Sequence, residues 1–265
     1  MPTPYYLRLA YVGTRFHGWQ IQPQARTVQQ VLWEAVRRFD PGAPLPQGTG
    51  RTDAGVHARA QGVLLRLGRT WDSFRLQAAV NAHLPEDVRV MAVQAVPEAF
   101  WPRHHAVAKR YVYRLTEGPS QDPFLRETHW HVRGAAPLDR ERMAEASQRL
   151  LGCRDFAGFR HQDCAAASTV RTLHRITFVE DGPRLELHFE GDRFLMHQVR
   201  IMTGTLVDIG KGRVGLERIL EPLATLDRRH AGHTAPPHGL CLEEVWYQPQ
   251  WGVGDPSPWS DTRTP

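Results

Sequence analysis

Apolar and polar residues alternate from the first residues of the chain, and residues 5 to 12 read as a strand with Leu7, Leu9 and Tyr11 on one face. A loop rich in aromatics and amides follows, Phe16-His17-Gly18-Trp19-Gln20-Ile21-Gln22. The pattern then changes to helical spacing. Thr27 is in place as an N-cap, Val28, Val31, Leu32, Ala35, Val36 and Phe39 recur on one face, and Pro41-Gly42 closes the segment. A Pro/Gly-rich connection from Pro41 to Gly48 leads past a short strand near residues 46 to 52 to an apolar run, Val63 to Leu67, that predicts a buried strand. A helix from about Trp71 to His83, stopped by Pro85, and a strand from Val88 to Val96 complete the order βαββαβ.

The second half repeats that order without repeating residues. Strands are predicted over Arg110 to Thr116, Arg171 to Glu180, Leu185 to Glu190 and Leu240 to Tyr247, with a hairpin turn at Asp181-Gly182-Pro183. Helices are predicted over Asp139 to Leu151 and, longer, over roughly Arg193 to Ile209, where Leu195, Val199, Met202, Leu206 and Ile209 form one stripe ended by Gly210. The expected fold class is α+β: two tandem βαββαβ, ferredoxin-like units making a continuous, mainly antiparallel sheet with flanking helices and a central catalytic cleft. Residues 1–105 form the first unit and 106–247 the second. The Pro/Gly-rich residues 248–265 read as a tail with little structure.

Composition narrows the class of partner. The chain has 265 residues, 41% hydrophobic and 23% charged, enough to bury a substantial core. Lys+Arg exceed Asp+Glu by 33 to 28, giving +5 and favouring a polyanionic partner. Only Lys109 and Lys211 are lysines; the remaining cations are arginines, a bias that fits phosphate recognition by the guanidinium fork and equally fits genome composition or heat tolerance. Cys153, Cys164 and Cys241 lie far apart, which argues against a disulfide framework and a cysteine zinc site. With no apolar run approaching a membrane span, the expectation is a soluble, cytoplasmic protein.

Candidate chemistry concentrates in Gly50-Arg51-Thr52-Asp53-Ala54-Gly55-Val56-His57. Asp53 sits between a Thr and a small Ala-Gly pair, two residues past an Arg, where backbone can approach a ligand; a tight turn explains the same residues. A second stretch, Trp101 to Arg114, mixes Arg103, Lys109, Arg110 and Arg114 with Trp101, Tyr111 and Tyr113. On a strand, Tyr111 and Tyr113 share one face and Arg110 and Arg114 the other, as a stacking ring beside phosphate-binding groups requires, or as a basic edge strand with two core tyrosines. Arg200 stands beside the apolar stripe of the long helix, where a buried cation needs a partner and an exposed one does not. The fourteen histidines include His129 and His131, and the loop group His230, His233 and His238, but no carboxylate or Cys completes a metal site at familiar spacing. H-E-x-x-H, G-x-x-x-x-G-K-[ST] and G-x-S-x-G are absent, which sets aside metalloprotease, P-loop and serine-hydrolase readings.

Taken in order, these blocks resemble the tRNA pseudouridine synthase A family from residue 5 to about residue 247. The resemblance rests on Gly18-Trp19-Gln20, Thr27-Val28-Gln29, Gly50 to His57, Ala108-Lys109-Arg110-Tyr111-Val112-Tyr113, Phe194 to Arg200, Thr203-Gly204-Thr205-Leu206, Ala231 to Pro236 and Gly239-Leu240. The family has Met-Val-Arg-Asn where this chain has Gln198-Val199-Arg200-Ile201. The resemblance implies isomerisation of uridine to pseudouridine in the anticodon stem-loop of tRNA by a symmetric homodimer, with no cofactor and no metal. It makes Asp53 the catalytic carboxylate, Tyr111 the active-site Tyr and Arg200 the partner of the Asp. Arg51, Lys109, Arg110 and Tyr111 become substrate-binding residues. Turning an N-glycoside into a C-glycoside needs one carboxylate and no second acid to activate water, and only one is offered locally. Two alternatives stand beside this reading: a non-catalytic RNA-binding protein, which lacks the expected RNP-type aromatic run, and a nucleoside or glycoside hydrolase.

Overall fold

The computed structural model describes residues 3–134, 136–255 and 257–259. Its strands and helices follow from local sequence in the first half. Strand β1, Thr3–Tyr11, lies between β3, His57–Leu67, and β4, Val88–Ala95, antiparallel to both, so it is buried on both faces along most of its length. Helix α1, Val28–Arg37, starts where the Thr27 hydroxyl accepts from the Gln30 amide and buries Val28, Leu32, Ala35 and Val36. Strand β2 is only Gln47–Gly48, paired with β3. Helix α2, Ser73–Asn81, is capped by Asp72, whose carboxylate accepts from Arg75 N at 3.0 Å. A single helical turn, α3, Pro102–His105, precedes β5, Ala106–Glu117.

In the second half, β6 (Trp130–Val132) pairs in parallel with β5. Helix α4 (Arg140–Gln148) is capped by Asp139 and leads to β7 (Gly152–Asp155), followed by β8 (Val170–Asp181) and β9 (Arg184–Gly191), which form the expected hairpin about Gly182. Helix α5 (Gln198–Gly210), α6 (Glu217–Thr225) and β10 (Leu240–Tyr247) end the series. The architecture is mixed α+β, with a large, mostly antiparallel sheet and six α-helices among the described residues.

The chain divides into two units. Met1–Lys109 and Leu242–Pro265 form one, and Arg110–Cys241 the other, so the division falls inside β5 and inside β10. The first unit has the strand order β4-β1-β3-β10 and the chain order β1-α1-β2-β3-α2-β4, the βαββαβ expected. The second has the order β5-β9-β8-β7 and contains β6, β7 and α6, which the hydrophobic pattern did not predict.

Three expectations are corrected. Strand β3 begins at His57 rather than Val63, because His57 and Gln61 are buried within it beside the apolar positions. Helix α5 begins at Gln198 rather than Arg193: His197, at φ +62°, takes the left-handed conformation, and the Gln198 side chain accepts from Leu195 N at 2.8 Å to close the preceding turn. The tail is not structureless up to Asp255. Pro249–Trp251 makes a 3-10 turn, and the Trp251 ring stacks on His105 with centroids 4.0 Å apart. Gln94 Nε2 donates to Gly252 O at 2.6 Å, and Val253 is buried. Residues 256 and 260–265 of the tail lie outside the described residues.

Candidate active site

In the first unit the Gly50–His57 loop is fixed through its backbone. Trp19 N donates to Thr52 O at 3.1 Å, Gly55 N to Phe16 O at 3.1 Å, and Val56 N to Asp53 O at 3.2 Å, the last closing a turn on Asp53 itself. The Thr52 hydroxyl is 2.8 Å from the Tyr11 hydroxyl, and Gly13 N donates to His57 Nδ1 at 2.9 Å. That last bond makes Nδ1 of His57 the acceptor and leaves Nε2 to carry the proton of the neutral ring. These contacts require close approach. A Cβ on Gly18, which has φ +84°, would lie 2.5 Å from Thr52 O and 3.1 Å from the Asp53 carbonyl carbon; one on Gly13 would lie 2.0 Å from Val56 O. The turn presents a half-exposed Asp53 from a backbone held by these bonds. Arg51, in the same loop, is exposed.

Lys109 belongs to the first unit and is only 9% exposed. Its ammonium donates to Thr49 O at 3.3 Å, at the entry to the Asp53 loop. Lys109 is thus held against the loop from within the first unit.

In the second unit, Tyr111 is buried on β5 and meets the Phe194 ring edge-on, centroids 5.1 Å apart at 82°. Arg110 Nε donates to Glu190 Oε1 at 2.8 Å, and Arg175 binds the same carboxylate through two nitrogens at 3.0 and 3.2 Å. Glu190 is 2% exposed, so these two guanidiniums are what stabilise its charge. Arg110 is thus held in an ion pair within the second unit, which its strand position alone did not reveal.

Arg200, on α5, exchanges hydrogen bonds with Ala235: Nε donates to Ala235 O at 2.9 Å, and Ala235 N donates to Arg200 O at 3.0 Å. The segment around Ala235 is held against the same helix. Gly232 N donates to Thr205 Oγ1 at 2.9 Å, and a Cβ on Gly204 would lie 2.0 Å from His233 O. Tyr113 donates to Pro236 O at 2.7 Å; burial pushes its phenol pKa well up, against the opposing field of Arg200. Arg200 is thus a partnered cation beside buried tyrosine, as expected of a non-surface position.

Among the described residues no group of three or more His, Cys, Asp or Glu is placed to hold a metal ion. Of the histidines, His233 Nδ1 lies 2.9 Å from Asp208 Oδ2, and burial lowers the pKa of both His129 and His238. No helix among the described residues is long and apolar enough to cross a membrane.

The sequence profile of the tRNA pseudouridine synthases matches residues 9–103 and 146–248. The chain belongs to that family. Membership makes it an isomerase that acts on tRNA uridine, and the two matched segments include Asp53 and Arg200. Proteins named tRNA pseudouridine synthase A are similar over nearly the whole length. That of Geobacter sp. (strain M21) is 39% identical over 91% of this chain and 97% of its own. Those of Myxococcus xanthus and Acidiphilium cryptum are 42% and 44% identical over 91% of this chain and 91% and 95% of theirs. A chain in a crystal structure of a Cbf5-Nop10-Gar1 complex aligns with 90% of this chain and 58% of its own, at TM-score 0.34 and 9% identity, a likeness too weak to bear on fold or function. The profile ends at residue 248, so the docked tail segment lies beyond the matched part of this pseudouridine synthase.

Sequence patterns assign no role to the supports of the Asp53 loop in the first unit, Gly13, Gly18 and Tyr11, nor, in the second unit, to Glu190 and the Ala235 carbonyl. Gly18 stood in a quoted motif, and Tyr11 in a strand, but their contacts with the Asp53 loop are tertiary and leave no local signal.

Proposed function

We propose that this pseudouridine synthase modifies uridine in the anticodon stem-loop of tRNA as a homodimer, using Asp53 as its catalytic carboxylate and no cofactor. The observation that carries the reading is the loop around Asp53: its backbone is pinned at Thr52, Asp53 and Gly55 while the side chain stays half-exposed. Such rigidity is what a nucleophile held to sub-ångström tolerance needs. In the reaction the bond between uracil N1 and C1′ breaks, a C5–C1′ bond forms, and the C5 proton leaves to solvent as N1 gains one. The carboxylate either adds to the ring or accepts the sugar carbon transiently, and both routes use one ionised acid. Tyr111 stacks on the uracil once it has left the helical stack, which costs least near a loop. Arg200 supplies the counter-charge for the carboxylate, and exposed Arg51 contacts RNA phosphate.

The two βαββαβ orders of the sequence support two ferredoxin-like halves, with β6, β7 and α6 as additions to the second, whose last strand, β10, lies mostly in the first compact unit. The experiment is release of tritium from tRNA labelled at uridine C5, combined with chromatography of the digested product. Pseudouridine with an unchanged nucleotide mass supports the reading; free uracil would instead establish hydrolysis.

A further inference from the structure

Lysine is almost unused in this chain, and one of its two lysines is buried against the loop that carries Asp53. Both carbonyls at the loop's entry are taken by side chains. Lys109 Nζ donates to Thr49 O at 3.3 Å, and Gln61 Nε2 donates to Gly50 O at 2.6 Å. Thr49 is itself locked: its amide and hydroxyl both donate to Gly62 O, at 2.8 and 3.0 Å, and its hydroxyl also meets the buried Tyr247 hydroxyl. The next pin is Thr52 O, held by Trp19 N. A Cβ on Gly50 would lie 2.8 Å from Nζ, so the ammonium sits directly against the loop.

We infer that Lys109 is a positioning residue: it sets the entry geometry of the Asp53 loop from within the protein and does not contact tRNA. The inference rests on the proposed role of Asp53, and it differs from an RNA-binding role in what it predicts. A buried ammonium that orders a loop affects the reacting state; a phosphate contact affects binding and its salt dependence.

The test uses Lys109→Met, which keeps the length of the side chain and removes its charge, and Gly50→Ala, which crowds the same ammonium from the loop side. Two readouts are taken on the full chain: kcat and KM for C5-tritiated tRNA, and hydrogen exchange of the Gly55 and Val56 amides in the free protein. For Lys109→Met, kcat falls by about 10- to 100-fold with KM unchanged within about 2-fold, and the two amides exchange at least about 10-fold faster. Gly50→Ala reproduces the exchange effect, and combined with Lys109→Ala, which vacates the space, it costs less than in the wild-type background. A raised KM with a salt dependence reduced by about one phosphate contact overturns the inference. So does unchanged exchange in both variants, whatever their activity. Failure of the wild-type protein to release tritium would instead count against the proposed role of the site, with the exchange readout still deciding the role of Lys109.

Discussion

Gly18→Ala tests a close contact on the Asp53 loop. The residue has φ +84°, where a side chain costs about 1–2 kcal/mol. The new methyl would sit 2.5 Å from Thr52 O, against ordinary carbon contacts of about 3.5 Å, so a backbone carbonyl must move by about 1 Å. That movement also strains the bond from Trp19 N to Thr52 O, worth about 1 kcal/mol. The sum is about 2–3 kcal/mol of stability, or about 5–10 °C in Tm for a chain of this size. A shift of about 1 Å next to Asp53 lowers kcat by about 100-fold. Gly182→Ala is the matched control. It too has positive φ, at +55°, but its Cβ would meet nothing within 4 Å. It should lose only the conformational part of the stability, about 1–2 kcal/mol, and none of the rate. The assays are differential scanning calorimetry and C5 tritium release. A Gly18→Ala protein that turns over at the wild-type rate, or a Gly182→Ala protein equally slowed, refutes the reasoning.

Gly204→Ala, whose methyl would lie 2.0 Å from His233 O, should push residues 231–236 off α5, cost about 3 kcal/mol in urea unfolding and disturb the Ala235 carbonyl that seats Arg200. Trp251→Ala removes the ring stacked on His105 and edge-on to Phe100 at 5.6 Å; it should lower stability by about 1–2 kcal/mol in the same assay and leave KM for tRNA unchanged. Glu186 gives a pH test. Burial pushes its carboxyl pKa up, but hydrogen bonds from His188 and Arg114 outweigh that and hold it below the ordinary 4.5. Its folded-state pKa is depressed, so its contribution is complete above pH 4.5 and fades as pH falls through the folded value. Glu186→Gln should be less stable by about 0.5–1 kcal/mol at neutral pH, with the difference closing on acidification, as followed by urea unfolding at several pH values.

The elements most legible in the sequence were those with one buried face and a clear terminus. Thr27 marked the start of α1, and alternation placed β10 at Leu240–Tyr247 to the residue. What failed did so for physical reasons. Helix α5 is buried nearly all round, so its apolar stripe continued into Leu195 and hid a start that a left-handed His197 imposes. Strand β7, Gly152–Asp155, is short, polar and largely exposed, and α6 contains Pro222, which reads as a breaker. The site divides in the same way. Asp53 stands out in the sequence as an acid among turn formers, whereas the ion pair of Arg110 with Glu190, eighty residues on, leaves no local signal. The burial of Lys109 was hidden for the same reason: a strand's alternation says which face a side chain occupies, and only the fold says that the face is covered.

Asp53 is proposed to perform the isomerisation from a loop already fixed before tRNA arrives. Asp53→Asn removes the charge and keeps the shape of the turn, whose bonds run through the backbone. The decisive measurement is tritium release from tRNA labelled at uridine C5, alongside the affinity of the variant for the same tRNA. The account predicts wild-type affinity with no release above background; release at the wild-type rate would contradict it.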